Sequence, residues 1–242
     1  MLSLPGHTPR LSDHFAAEGY LRLPSLIPPH LLEELTCEAE RLEKRAVRRD
    51  LAMASTDGSP RHMTTLGGHT IARESTLIPR LYRDSDLLAW LGRVAALPAV
   101  EVADLLERHV LNILHRPGDT HGAHTDDYPL ALVLFIEAPA DPADGGLLHY
   151  APRTAALGAL HTTADRAHHQ RGDGYLLRAD TTAHRVTALR RPGVRRTVLN
   201  FAYTTPDRQG ARTPSAAELY GPQSGSAHTA TGAANGSPVR RS

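Results

Sequence analysis

From Glu107 onward the chain breaks into short runs of strand-forming residues separated by glycine and proline. The runs fall at 108–115, 130–137, 146–150, 174–178, 184–189 and 196–203. Strands this short cannot bury their apolar face alone, so they must pair into a curled or double-layered sheet. Helical patterns precede them, which predicts a mainly β, α+β domain: a β-sandwich or jelly roll with N-terminal helices flanking one face. No internal repeat is visible.

The first hundred residues supply those helices. Leu11 to Gly19 reads as a short helix, with Ser12 as N-cap and Gly19 as its stop, and Tyr20 to Leu23 reads as a strand ended by Pro24. Pro28 and Pro29 open an amphipathic helix expected from His30 to about Arg48, whose apolar face includes Leu31, Leu32, Leu35, Cys37, Ala39 and Leu42. Met53 to Thr70, rich in Gly, Ser, Thr and His, reads as a long loop. Ile78 to Leu97 has helical period with Trp90 and Leu91 on its apolar side, and Val100 to Leu106 continues as helix or turn.

At 242 residues the chain fits one domain, placed at 1–220. Residues 221–242 contain almost no large apolar side chain and read as a disordered tail. A net charge of +1 gives no electrostatic reason to bind nucleic acid or a membrane surface. Cys37 is the single cysteine, expected as a small buried hydrophobe in a reducing, cytoplasmic setting. No apolar run spans a bilayer, and the N-terminus lacks a signal-peptide core. A homodimer is left open.

Between the runs at 108–115 and 130–137 lies His124-Thr125-Asp126. Residues two apart on extended backbone point to one side, so the imidazole and carboxylate can meet on one small ion. His184, between two later runs, can complete the set. Two histidines and one carboxylate on one face of a metal, with the remaining positions open, suit non-haem Fe(II) and O2 chemistry. The triplet alone is a weak signal in a chain with 15 histidines, and its context strengthens it. That context is a strand, a Pro-Gly-Asp turn, the triplet, an apolar strand, a Gly-Gly turn, a strand, GDGYLL, then His184-Arg185-Val186-Thr187 and RRTVLNF.

In that order the segments resemble the Fe(II)/2-oxoglutarate-dependent oxygenases over roughly Asp13 to Pro206. The resemblance implies a double-stranded β-helix core, Fe(II) held by His124, Asp126 and His184, and O2 and 2-oxoglutarate as cosubstrates. It also implies an arginine on a late strand for the cosubstrate's distal carboxylate, for which Arg195 and Arg196 are the candidates. Strand alternation sets Leu199, Phe201 and Tyr203 on the face of Arg195, and Val198, Asn200 and Ala202 on that of Arg196. The bulky set should pack against the helices, which favours Arg196 as the inward residue. His115 sits where related oxygenases often place a group touching 2-oxoglutarate.

HGAHTDDYPLALVLFIEAP and RRTVLNFAYTTP are more closely similar to the radical halogenases and hydroxylases of free amino acids. In the chlorinases of that branch the acidic position of the triplet is glycine, which frees an iron site for chloride; here it is Asp126, so the resemblance implies hydroxylation. The matching substrate positions are Glu107 and Asp127, an acid pair suited to a cationic side-chain amine, and His121 and Asn200 as polar lining. Arg61 is available for the substrate carboxylate, because a guanidinium can hold a carboxylate through two parallel hydrogen bonds. A basic amino acid such as lysine is the expected substrate. The alternatives are an oxygenase acting on a carrier-bound amino acid or another small metabolite, and a cupin-like protein that binds a metal or ligand without turnover.

Overall fold

The computed structural model describes residues 1–209 and 214–221. Apart from Gly221, the expected tail lies outside the described residues.

The N-terminal elements alternate short helices and strands. Helix α1 (Pro9–Glu18) is capped by Thr8, whose hydroxyl accepts from the Leu11 amide, and ends at Gly19 with φ 68°. Thr8 takes the capping position expected of Ser12. Strand β1 (Tyr20–Leu23) follows, then α2 (Pro29–Glu43), which stops short of Arg48 because Val47–Met53 is a strand, β2. Cys37 is exposed on α2, not buried. The expected loop at 53–70 holds a strand: a short 3₁₀ turn at Ala54–Thr56 leads into β3 (Ser59–Leu66). After α3 (Gly68–Glu74), the single helix expected at 78–97 is two, α4 (Leu77–Tyr82) and α5 (Ser85–Ala95), with Asp84 capping the second through its carboxylate. Val100–Glu101 is a two-residue strand, β4, where a helix or turn was expected.

The remaining strands are β5 (His109–Leu114), β6 (Thr120–His124), β7 (Leu130–Glu137), β8 (Leu148–Tyr150), β9 (Asp165–Ala167), β10 (Gly174–Leu177), β11 (His184–Val186) and β12 (Arg196–Thr204). A short helix, α6 (Pro214–Tyr220), closes the described chain. All strands join one antiparallel sheet in the order β1-β10-β7-β12-β5-β3-β6-β11-β8-β9, with β2 on β3 and β4 on β12. The sheet curls on itself, as a β8 residue packed against β7 and β10 requires: Leu148 and Tyr150 share a buried cluster with Val133, Phe135 and Tyr175.

Two faces follow from the alternation. Leu132, Leu134 and Ile136 of β7 and Leu199, Phe201 and Tyr203 of β12 point outward, into the main core with Leu35 of α2 and Trp90 of α5. Burying each such side chain contributes about 1.5–3 kcal/mol. Val133, Phe135 and Val198 point inward. The inner face therefore holds the side chains that can reach a ligand.

Candidate active site

β6 and β11 run antiparallel with His124 opposite His184, and directly opposed residues bring their Cβ atoms within about 5.5 Å. The imidazole centroids are 4.1 Å apart. Each ring is oriented from behind by a backbone carbonyl: His124 Nδ1 donates to Gly122 O at 2.7 Å and His184 Nδ1 donates to Thr182 O at 2.9 Å. That tautomer leaves both Nε2 lone pairs aimed at the same point. Asp126 lies beyond the end of β6, its amide fixed to Ala179 O at 2.8 Å. Its Oδ1 sits 3.4 Å from His124 Nε2 and 3.6 Å from His184 Nε2. One atom of each residue falls within 4.8 Å of the others, a spacing that fits a single ion.

The electrostatics suit a cation. Burial raises the Asp126 carboxyl, but the adjacent His124, then His184 and the Arg61 charge, outweigh it and hold the group below its usual range. Burial, followed by the neighbouring His124, lowers His184 to about 4, so the imidazole is neutral and free to ligate.

Beneath the triad, the inner chamber is lined by Asn112 of β5, Tyr175 of β10, and Arg196 and Asn200 of β12. Arg196 is buried beside Tyr175 in that lining. Arg195 is on the opposite face, bound to Glu43 at 2.8 Å and Glu137 at 3.0 Å. His115 is also turned away from the chamber: its ring lies 3.7 Å from Glu43 and 3.4 Å from the Thr64 hydroxyl. The reason is parity, since Leu111 and Ile113 face the helices and His115 shares their side.

The triad opens outward into a cavity of about 210 Å³ that Arg61, Glu107, His121, Asp127 and Asn200 line together. Arg61 is not a loop residue. It sits on β3 opposite His121 of β6 and is only 1% exposed. Its Nη1 donates to Ser59 and Pro60, its Nε has no hydrogen-bond partner, and no carboxylate lies within ion-pair reach among the described residues. Burial lowers it to about 10, which still leaves it a cation. His121 stacks on His124 at 4.2 Å between centroids, with Nε2 unpartnered, and Asn200 Oδ1 is likewise unpartnered. Glu107 is half-buried at the rim; Asp127 is exposed and hydrogen-bonded by the Ser215 hydroxyl.

A family model matches residues 5–218, and its description is Halogenase D. The chain belongs to the Halogenase D family. A search of curated protein sequences returns no match. Solved structures similar to this Halogenase D family member share its fold at low identity. The epimerase SnoN of nogalamycin biosynthesis, described as non-haem and α-ketoglutarate-dependent, superposes with a TM-score of 0.64 at 16% identity, over 81% of this chain and 80% of its own. HygX from Streptomyces hygroscopicus, solved with nickel and 2-oxoglutarate, gives 0.62 at 16% identity, over 83% and 88%. A prolyl-4-hydroxylase from Pseudomonas putida gives 0.56 at 15% identity, over 81% and 97%.

Sequence reading missed three parts of this Halogenase D family site. Asn112 looked like one polar residue in an apolar strand, yet its Oδ1 is buried and unpartnered. Tyr175 sat in GDGYLL without a distinguishing neighbour. Helix α6 brings Ser215, Leu219 and Tyr220 to the outer cavity and is held there by Thr65, whose hydroxyl donates to Leu219 O at 3.0 Å, and by Arg49, which donates to Gly221 O. A proline followed by SAAELY was the only signal for it.

Proposed function

We propose that this protein is an Fe(II)/2-oxoglutarate-dependent oxygenase that hydroxylates an unactivated C–H bond of a free amino acid with a cationic side chain. One observation carries the reading: a His-Asp-His donor set shares its chamber with a buried arginine that no carboxylate among the described residues neutralises. When bound to His124, Asp126 and His184, iron supplies the oxidising power by activating O2 at the expense of 2-oxoglutarate, which leaves as succinate and CO2.

The chain's own residues then do three things. Arg196, with Tyr175, offers donors to the far carboxylate of the cosubstrate, a strong charge-assisted contact in a buried site. Arg61 offers the same to the substrate carboxylate, while Glu107 and Asp127 attract an amine at the rim. The carboxylate of Asp126 occupies the place that glycine leaves open in the resembling chlorinases, which favours oxygen transfer over halogen transfer despite the family's name. The exposed thiol of Cys37 suits a reducing cytoplasm, where we place the protein.

A second reading, another small metabolite as substrate, is favoured by the exposure of Asp127 and its engagement with Ser215. Structural neighbours have been solved with nogalamycin RO and with hygromycin B bound. The deciding experiment reconstitutes the protein anaerobically with Fe(II), then adds O2, 2-oxoglutarate, chloride and a panel of amino acids, following succinate and product mass together. Succinate with one added oxygen on lysine, ornithine or arginine is the expected result. A chlorine isotope pattern would overturn hydroxylation, and succinate without an amino-acid product would move the substrate elsewhere.

A further inference from the structure

Arg195 and Arg196 are neighbours in sequence and opposites in environment. Arg195 has two acids at hydrogen-bond distance. Arg196 is 3% exposed, its Nε has no partner, and no carboxylate among the described residues pairs with it. A buried cation without a counter-ion is costly to hold, so another form of support is required.

That support is aromatic. The Arg196 Cζ lies 4.9 Å from the centroid of the Phe135 ring. Phe135 stacks on the imidazole of His169, with centroids 4.6 Å apart and 15° between planes. His169 is pinned in turn: its Nε2 is hydrogen-bonded with the buried hydroxyl of Tyr20 at 2.9 Å, and Tyr20 is stacked on Tyr150 at 4.4 Å. Burial together with the Arg196 charge lowers His169 to about 3, so the imidazole is neutral and adds no second cation. Phe135, His169 and Tyr20 do not line the chamber; they touch Arg196 or one another from behind.

The choice of rings over an acid has a chemical consequence. A carboxylate beside Arg196 would take up its donors and cancel its charge. A ring face attracts the cation yet has no lone pair that competes for the N–H groups. We propose that Phe135, His169 and Tyr20 are positioning residues that hold Arg196 as an un-neutralised receptor for the distal carboxylate of 2-oxoglutarate, an inference that rests on the functional reading above.

The test is anaerobic calorimetry on the Fe(II)-loaded protein with 2-oxoglutarate, with Fe(II) affinity and thermal unfolding measured in parallel. Phe135→Leu should weaken 2-oxoglutarate binding by roughly 2–30-fold, the range that a cation–π contact of about 0.5–2 kcal/mol implies, and Phe135→Tyr should restore it. Fe(II) affinity should not move in either. An unchanged 2-oxoglutarate affinity in folded Phe135→Leu protein overturns the proposal. If that variant does not fold, Tyr20→Phe decides: it removes one oxygen atom, and a smaller loss of 2-oxoglutarate affinity supports the column of rings while no loss overturns it. Unaltered protein that binds Fe(II) but no 2-oxoglutarate would sink the functional reading itself, and this inference with it.

Discussion

Two carbonyl oxygens, of Gly122 and Thr182, decide which nitrogen of His124 and His184 faces the pocket, and Asp126 supplies the carboxylate of the triad. Asp126→Ala should lower Fe(II) affinity by at least about tenfold, since even the orienting partners of metal ligands are worth roughly 10–100-fold; competition with a chelator of known affinity measures it. The two adjacent arginines should answer differently to the same change. Arg196→Lys loses the planar fork and should weaken 2-oxoglutarate binding by about tenfold or more, whereas Arg195→Lys should leave it unchanged and cost under about 1 kcal/mol of stability. Equal effects on 2-oxoglutarate affinity would contradict the assignment. These residues were legible in sequence because spacing and alternation are local facts. Arg61 was only half legible: its chemistry could be read, but not that it would be buried to 1%. Cys37 misled, because a small thiol on a helical pattern reads as a hydrophobe wherever it points.

Among the elements, β3 was hidden for a physical reason. Ser59-Pro60-Arg61-His62-Met63-Thr64-Thr65 has no apolar alternation, since of its buried side chains only Met63 joins an apolar cluster, while Arg61 lines the outer cavity and Thr65 holds α6. The helix α2 was overextended because Lys44, Arg45, Arg48 and Arg49 carry fair helical propensity, and only pairing with β3 turns Val47–Met53 into a strand. The seam between β3 and β6 is tight. A Cβ on Gly122 would meet Ser59 Oγ at 2.4 Å and Pro60 O at 2.6 Å, so Gly122→Ala should force the strands apart, displace Arg61 and destabilise the fold by about 1–3 kcal/mol. Denaturant titration checks the stability, and a raised substrate KM checks the displacement. Helix α6 covers the outer cavity alone, so ending the chain after residue 213 should raise the KM of the substrate and spare the affinity for 2-oxoglutarate; loss of both would place α6 in the deep chamber instead.

For the whole molecule, the buried histidines set a dependence on pH. Burial lowers His109 to about 4 and His169 to about 3, against 6.5 when unfolded. The unfolded chain therefore takes up protons first as pH falls, and stability present above about 6.5 should drain away toward pH 4. The slope is roughly 1.4 kcal/mol per pH unit for each histidine. Urea midpoints for the metal-free protein between pH 7 and 4.5 measure it, and a flat profile would refute it. The mainly β architecture was legible because turns punctuate it, while the curl that joins β8 to β7 and β10 depends on contacts distant in sequence. Strand β12 carries a last consequence of that architecture. Arg195 and Arg196 differ only in whether their position is odd or even, so deleting Thr197 while Leu199, Phe201 and Tyr203 keep their register would carry Arg195 to the inward place and turn Arg196 out toward the acids. Changes of length before Arg195 leave both guanidinium groups on their faces, whereas inside the strand after Arg196 only a change of two residues does.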